Sequence, residues 1–110
     1  DQTCRDFEFI LLNDGSTDRT EEIILSYDDP RIIYVKNEEN LHIVKTLNRG
    51  IALAKGRYIA RMDADDISLP ERFEKQLKFL ESHPDVDALF STIICIDAEG
   101  REMESCWGED

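Results

Sequence analysis

The sequence predicts an α/β fold with a mostly parallel sheet covered by helices. Three observations carry that prediction. Short apolar runs alternate with segments of helical period along the chain. The strand–helix–strand order recurs three times. The two segments richest in turn-forming and acidic residues, "NDGSTD" (13–18) and "DADD" (63–66), each follow a strand-like run. At 110 residues the chain is one domain or part of one, long enough to bury a core without disulfide or metal staples.

Each element has its own signal. "FEFILL" (7–12) reads as a strand. "RTEEIILSY" (19–27) carries Ile23, Ile24 and Tyr27 on one helical stripe, with Ser16 or Thr17 as the expected N-cap. "DDPR" breaks that helix, and "RIIYVK" (31–36) is the second strand. "HIVKTLNRGIALAK" (42–55) aligns Ile43, Leu47 and Ile51 near one helical face. Gly50 inside it costs about 1 kcal/mol relative to Ala, which points to close packing there. Gly56 is the expected C-cap.

"RYIARM" (57–62) is the third strand. Ser68 and Glu71 have capping-box spacing, with Pro70 in the first turn of a helix bearing Phe73, Leu77 and Leu80. "HPD" (83–85) stops it, and "VDALFSTIICI" (86–96) is a long strand. "DAEG" (97–100) is a turn, after which "REMESC" (101–106) returns as an antiparallel partner.

Composition excludes several classes of function. The formal net charge is −12, which argues against DNA or RNA, whose counterion release needs a basic face, and against a polybasic membrane contact. A phosphate ligand would be repelled unless a cation or a local Lys or Arg stood between. Cys4, Cys95 and Cys106 show no CxxC or zinc spacing, which makes a reducing cytoplasm the simplest compartment and a buried free thiol the expectation for Cys95. No apolar run is long enough to span a membrane. The polar opening "DQTCRD", without Met, reads as part of a longer chain.

The chemistry concentrates in the two loops. In a parallel sheet, ligands bind at the carboxyl ends of the strands, and both loops lie there. Asp63 and Asp65 are two residues apart, so both can face one small volume. Like charges that close must share a proton, repel, or hold a cation. Mg²⁺ or Mn²⁺ takes one or two carboxylates together with waters and substrate phosphates. The alternative is a solvated acidic loop preceding a helix, where Asp is favourable. An EF-hand-type calcium loop fails, because Ile67 and Ser68 stand where a ligand and a glycine are required. "NDGS" could turn a hairpin, but the residues after it have helical period, which favours a strand–loop–helix turn. There Gly15 lets backbone approach a ligand, and Asp14 offers an acceptor suited to a nucleobase N–H or ribose hydroxyls.

"FEFILLNDGSTDRT" followed by "NLHIVKTLNRGIALAKGRYIARMDADDISLPERFEKQ" resembles the family 2 glycosyltransferases over roughly residues 3–105. The resemblance implies the three-layer α/β/α Rossmann-like GT-A fold, with residues 1–110 forming an incomplete nucleotide-sugar-binding domain. It implies a sugar transferase that is metal-dependent with Mn²⁺ or Mg²⁺ and inverting. The partners are a nucleotide-sugar donor and a sugar or glycan acceptor, with no nucleic acid. By position, Asp14 resembles the nucleobase contact, Asp63 the ribose or metal-shell residue, and Asp65 the metal ligand. Asp66 is an outer acid, and Lys45 and Asn48 lie in a segment that lines the donor site.

The sequence departs from the family pattern at Asn13, where aspartate is usual, and at His42, where glycine is frequent. A strand that the family places between strands 7–12 and 57–62 is not among these residues. Exposed sheet edges therefore imply self-association. The general base is expected outside this chain, since Glu109 and Asp110 follow Asp65 too soon. The expected role is the donor and metal half of an enzyme of bacterial surface polysaccharide synthesis, inactive alone, cytoplasmic or peripheral at the inner membrane face. A non-catalytic module of the same fold is one alternative. A haloacid-dehalogenase-like phosphatase, with Asp63 as nucleophile, is the other.

Overall fold

β-Branched and aromatic side chains crowd two short segments, and both are strands in the computed structural model, which describes residues 1–104. Strand β1 (Phe9–Asn13) and strand β2 (Ile32–Lys36) pair in parallel, from Phe9 opposite Ile32 to Asn13 opposite Lys36. Parallel neighbours need a crossover. Here it contains helix α1 (Thr20–Leu25). The ladder is extended at both ends, where Phe9 N donates to Arg31 O at 2.7 Å and Asn37 N donates to Asn13 O at 2.9 Å. The fold is thus α/β with parallel pairing, as the alternating pattern requires.

α1 is shorter than its apolar stripe suggests, and neither Ser16 nor Thr17 caps it. Asp18 Oδ1 accepts from Thr20 N at 3.0 Å and delays the helix, so that Arg19 occupies the cap position. Helix α2 (His42–Leu53) packs on β1 through Gly50. A Cβ at Gly50 would lie 2.7 Å from Leu12 Cδ1, so the close packing expected there is real. Gly56 does not cap α2. The helix ends when Ala54 turns extended, and Glu8 Oε1 accepts from Lys55 N at 2.6 Å.

The chain divides into two units, Asp1–Glu74 and Lys75–Asp110. In the first, the N-terminal residues grip the start of helix α3 (Arg72–Ser82). Gln2 Oε1 accepts from Phe73 N at 3.0 Å, and Gln2 Nε2 donates to Leu69 O at 2.7 Å and to Ser68 Oγ at 3.3 Å. Gln2 therefore supplies the acceptor that the expected capping box assigned to Ser68. Phe7 and Phe73 stack edge to face, with centroids 5.3 Å apart. In the second unit, Ile96 and Glu102 form an antiparallel bridge around the 97–100 turn, closed by Met103 N to Cys95 O at 2.8 Å. This is the start of the expected return. Its last residues, 105 and 106, lie outside the described residues, as do Glu109 and Asp110.

Two expected strands do not form. Residues 57–62 have no ladder, and residues 86–96 pair only at that bridge. A strand exists only beside a neighbour, and the one the family resemblance places between β1 and residues 57–62 is not among the described residues. The apolar side chains of these segments stay outside, with Ile59 59% and Phe90 89% exposed. Cys95 belongs to the same segment. It is half-buried and disulfide-bonded, rather than the buried free thiol expected.

Among the described residues no hydrophobic residue is buried, whereas Asn13, Asn37 and Thr46 are. Polar groups are normally buried only when hydrogen-bonded, so these three mark a built polar assembly among the described residues.

Candidate functional site

All three buried polar residues lie around one end of the β1–β2 pair. Parallel strands deliver their carboxyl ends to the same edge, so Asn13 and Asp14 leave β1 beside Asn37 leaving β2. Gly15 then turns the chain with φ +86°, a conformation L side chains rarely adopt. The β2–α2 loop wraps this turn. His42, at the start of α2, has φ +61°, which gives a physical reason for glycine being frequent at that position.

Asn13 is consumed by structure. Its Oδ1 accepts from Ser16 N at 2.8 Å, which aims Nδ2 at the Tyr34 hydroxyl, 2.9 Å away. Nearby, the Glu21 carboxylate holds Lys36 Nζ at 2.6 Å. Both ends of the Asn13 amide are therefore occupied, and the residue latches the loop to the sheet.

Asp14 is held differently. Its Oδ1 accepts from Asn37 Nδ2 and from Leu41 N, both at 2.7 Å. The Asn37 amide, followed by the Leu41 N–H, keeps this carboxyl below the usual aspartate range, against the opposing effect of burial. Asn37, only 2% exposed, is the hub. Its Nδ2 also donates to Thr46 Oγ1 at 2.9 Å, and its Oδ1 accepts from Arg49 Nη1. Arg49 Nη1 additionally donates to Lys36 O at 3.2 Å. Beside this network opens a groove of about 630 Å³ lined by Lys36, Glu38, Glu39, Leu41 and Arg49.

The aspartate cluster forms a second, exposed element. Asp66 N donates to Asp63 O at 3.2 Å, turning the chain through Ala64 and Asp65. Asp63 Oδ1 accepts from Arg61 at 2.9 Å, an ion pair more than half exposed on both sides and hence weak. Arg72 donates to Arg61 O at 3.0 Å and ties the strand-like run to α3. Asp65 is exposed and has no partner among the described residues. Oxygen donors of this kind suit a hard divalent cation. Among the described residues no three His, Cys, Asp or Glu side chains gather as a cage, so such an ion would need further oxygens from water or phosphate.

Of the residues singled out in the sequence, Asp14 is built into a network and Asp63 is paired. Lys45 and Asn48 stand exposed on α2, outside the Asp14 network, while their neighbours Thr46 and Arg49 enter it. Sequence reasoning missed Asn37, Thr46 and Arg49. Two features of the sequence become signals only once the register of the strands is known. Asn37 follows β2 as Asp14 follows β1, and Thr46 and Arg49 share a helical face at a spacing of three.

The family model described as glycosyl transferase family 2 matches residues 1–106. An uncharacterized glycosyltransferase of Methanocaldococcus jannaschii is 47% identical over 94% of this chain. The amylovoran biosynthesis glycosyltransferase of Erwinia amylovora is 39% identical over 74% of it. An Escherichia coli enzyme named as a UDP-Glc:α-D-GlcNAc-diphosphoundecaprenol β-1,3-glucosyltransferase is 38% identical, also over 74%. The chain spans only 37%, 37% and 32% of those three proteins. No solved structure matches.

Proposed function

Because the chain belongs to glycosyl transferase family 2, we propose that it forms the donor-binding part of an enzyme moving a sugar from a nucleotide-sugar to an acceptor hydroxyl, with inversion. The observation that carries this reading is the Asp14 carboxylate, ionised and fixed by two donors at the carboxyl edge of the parallel strands. In that state it accepts a hydrogen bond from a nucleobase N–H. Leu41 and Arg49 line the adjoining groove, where a planar base would lie.

Asp65, with Asp63, would hold Mn²⁺ or Mg²⁺. When bound, such an ion neutralises the diphosphate and stabilises the charge that develops on the departing nucleotide. Asp63 would exchange its Arg61 partner for ribose or the metal shell. Lys45 and Asn48, exposed on α2, would contribute to donor binding from that helix. The base that deprotonates the acceptor is not among the residues assigned here, and residues 1–110 alone would be inactive.

The acceptor would be a sugar or glycan carried by bacterial surface-polysaccharide chemistry, since relatives are named for amylovoran synthesis and for a diphosphoundecaprenol-linked sugar. The whole protein would then work on the cytoplasmic side, peripheral to the inner membrane face, a placement that rests on those relatives alone, since the Cys95 disulfide removes the thiol argument for a reducing compartment. Among the described residues no helix is long and apolar enough to cross a membrane.

Thermal shift with a panel of nucleoside diphosphates and nucleotide-sugars, with and without Mn²⁺, tests the assignment. Ligand at about 100 times Kd adds roughly 2.7 kcal/mol, a readable rise in Tm. One nucleotide should stabilise the protein strongly with Mn²⁺, and Asp14→Asn should remove most of that gain. No stabilisation by any nucleotide would refute the donor-site reading.

A further inference from the structure

The most deeply buried side chain among the described residues is the amide of Asn37, and neither family likeness nor sequence pattern gave it a role. It is the one group that touches all three elements around Asp14. Its Nδ2 reaches Asp14 Oδ1 at 2.7 Å and Thr46 Oγ1 at 2.9 Å, while its Oδ1 takes Arg49 Nη1. Its backbone N–H extends the β1–β2 ladder to Asn13 O at 2.9 Å.

An amide suits this place for a chemical reason. Asn37 must donate to a carboxylate on one side and accept from a guanidinium on the other, and an amide carries both functions in one plane. Aspartate would put a second negative charge 2.7 Å from Asp14. Leucine would leave the donor and acceptor groups around it unpaired in a buried volume. The amide orientation follows from the partners, since only oxygen can face Arg49 and only nitrogen can face an ionised Asp14.

We infer that Asn37 is the positioning residue of the nucleotide site: its buried amide locks the Asp14 carboxylate against α2 and the Leu41 N–H, so that one carboxylate orientation meets the base. The inference rests on the donor-site reading of Asp14. It goes further in assigning base affinity to a residue that need not touch the ligand. Thr46 and Arg49 act through Asn37, fixing its rotation.

The test combines two readouts on the full chain. The first is the amide exchange rate of Leu41, whose N–H donates to Asp14 Oδ1 at 2.7 Å. The second is calorimetric titration with UDP, GDP, ADP and CDP in the presence of Mn²⁺. Asn37→Ala should speed Leu41 exchange and raise the Kd of the bound nucleotide about tenfold or more, with unchanged stoichiometry. A general folding defect would instead lower the stoichiometry and leave Kd alone. In an Asp14→Asn background, Asn37→Ala should add little, because the group it positions is gone.

An unchanged Kd, or full additivity with Asp14→Asn, would overturn the inference. If no nucleotide binds the wild-type chain, the donor-site reading fails and Asn37 has no nucleotide site to position. The Leu41 rate then still decides whether Asn37 holds Asp14. Should Asn37→Ala not fold, Thr46→Val carries the same test, since it removes one acceptor from the hub and keeps the side-chain shape.

Discussion

Replacing Gly15 by alanine probes the turn that presents Asp14, and its cost can be worked from backbone geometry. Gly15 has φ +86°. A Cβ built there meets nothing closer than Asn40 N at 3.7 Å, an ordinary van der Waals contact, so no clash contributes. What remains is the left-handed backbone, which costs an L residue about 1–2 kcal/mol. Alanine also restricts the unfolded chain, which returns about 0.4–1 kcal/mol. The net loss should be about 1 kcal/mol. With a urea m-value of about 2 kcal/mol/M, the midpoint falls by about 0.5 M.

His42→Gly is the mirror experiment. It relieves a left-handed non-glycine at φ +61° and gives up roughly 0.5–1 kcal/mol of glycine entropy, for a net gain of about 0.5 kcal/mol. Equilibrium urea unfolding monitored by circular dichroism reads both. Midpoints that move together, or a Gly15→Ala protein as stable as wild type, would refute the backbone argument.

Other substitutions test other parts of the account. Gly50→Ala pushes a methyl to 2.7 Å from Leu12 Cδ1 and should destabilise by about 1–2 kcal/mol despite better helix propensity. Adding Leu12→Ala should remove most of that penalty in the same unfolding assay. Arg31 hydrogen-bonds Asp29 and lowers its carboxyl to about 2, so this pair contributes stability above the ordinary pKa near 3.8 and loses it as pH falls through about 2. Arg31→Met should raise the Asp29 carboxyl toward its ordinary value in a carbon-detected NMR titration, and an unmoved titration would discount the pair. Exposed Ile59, Phe90 and Ile93 beside unpaired backbone predict concentration-dependent association in sedimentation velocity, and a single monomer boundary at high concentration would count against it.

Much of the first unit was legible because its signals are local. The β-branched run of β2, the helical period of α2 and the small residue at Gly50 each act within a few residues or against one neighbour. The misplaced caps show where local rules lose. Ser68 has the right spacing to cap α3, but Gln2 arrives from 66 residues away and takes the helix N–H. Nothing in the local sequence announces that contact. Residues 57–62 and 86–96 read as strands because their side chains suit a sheet, yet pairing is a property of two segments rather than one.

The site divides along the same line. Asp14 was visible as a carboxylate beside Gly15 after a strand. Asn37 was not, because a lone asparagine after β2 looks like any loop residue until the parallel register sets it beside Asp14. Asn13 shows the converse. It stands where the family pattern has an aspartate, and the fold spends both ends of its amide on Ser16 and Tyr34.

The most direct test of the central claim is the electron paramagnetic resonance signal of free Mn²⁺, titrated with the full chain and the nucleoside diphosphate that stabilises it. The account predicts that protein and nucleotide together remove far more free-ion signal than the sum of either alone, and that Asp65→Asn returns it to that sum. A signal that the wild-type protein leaves unchanged, or that Asp65→Asn depletes as fully, would contradict a metal–diphosphate site at the aspartate cluster.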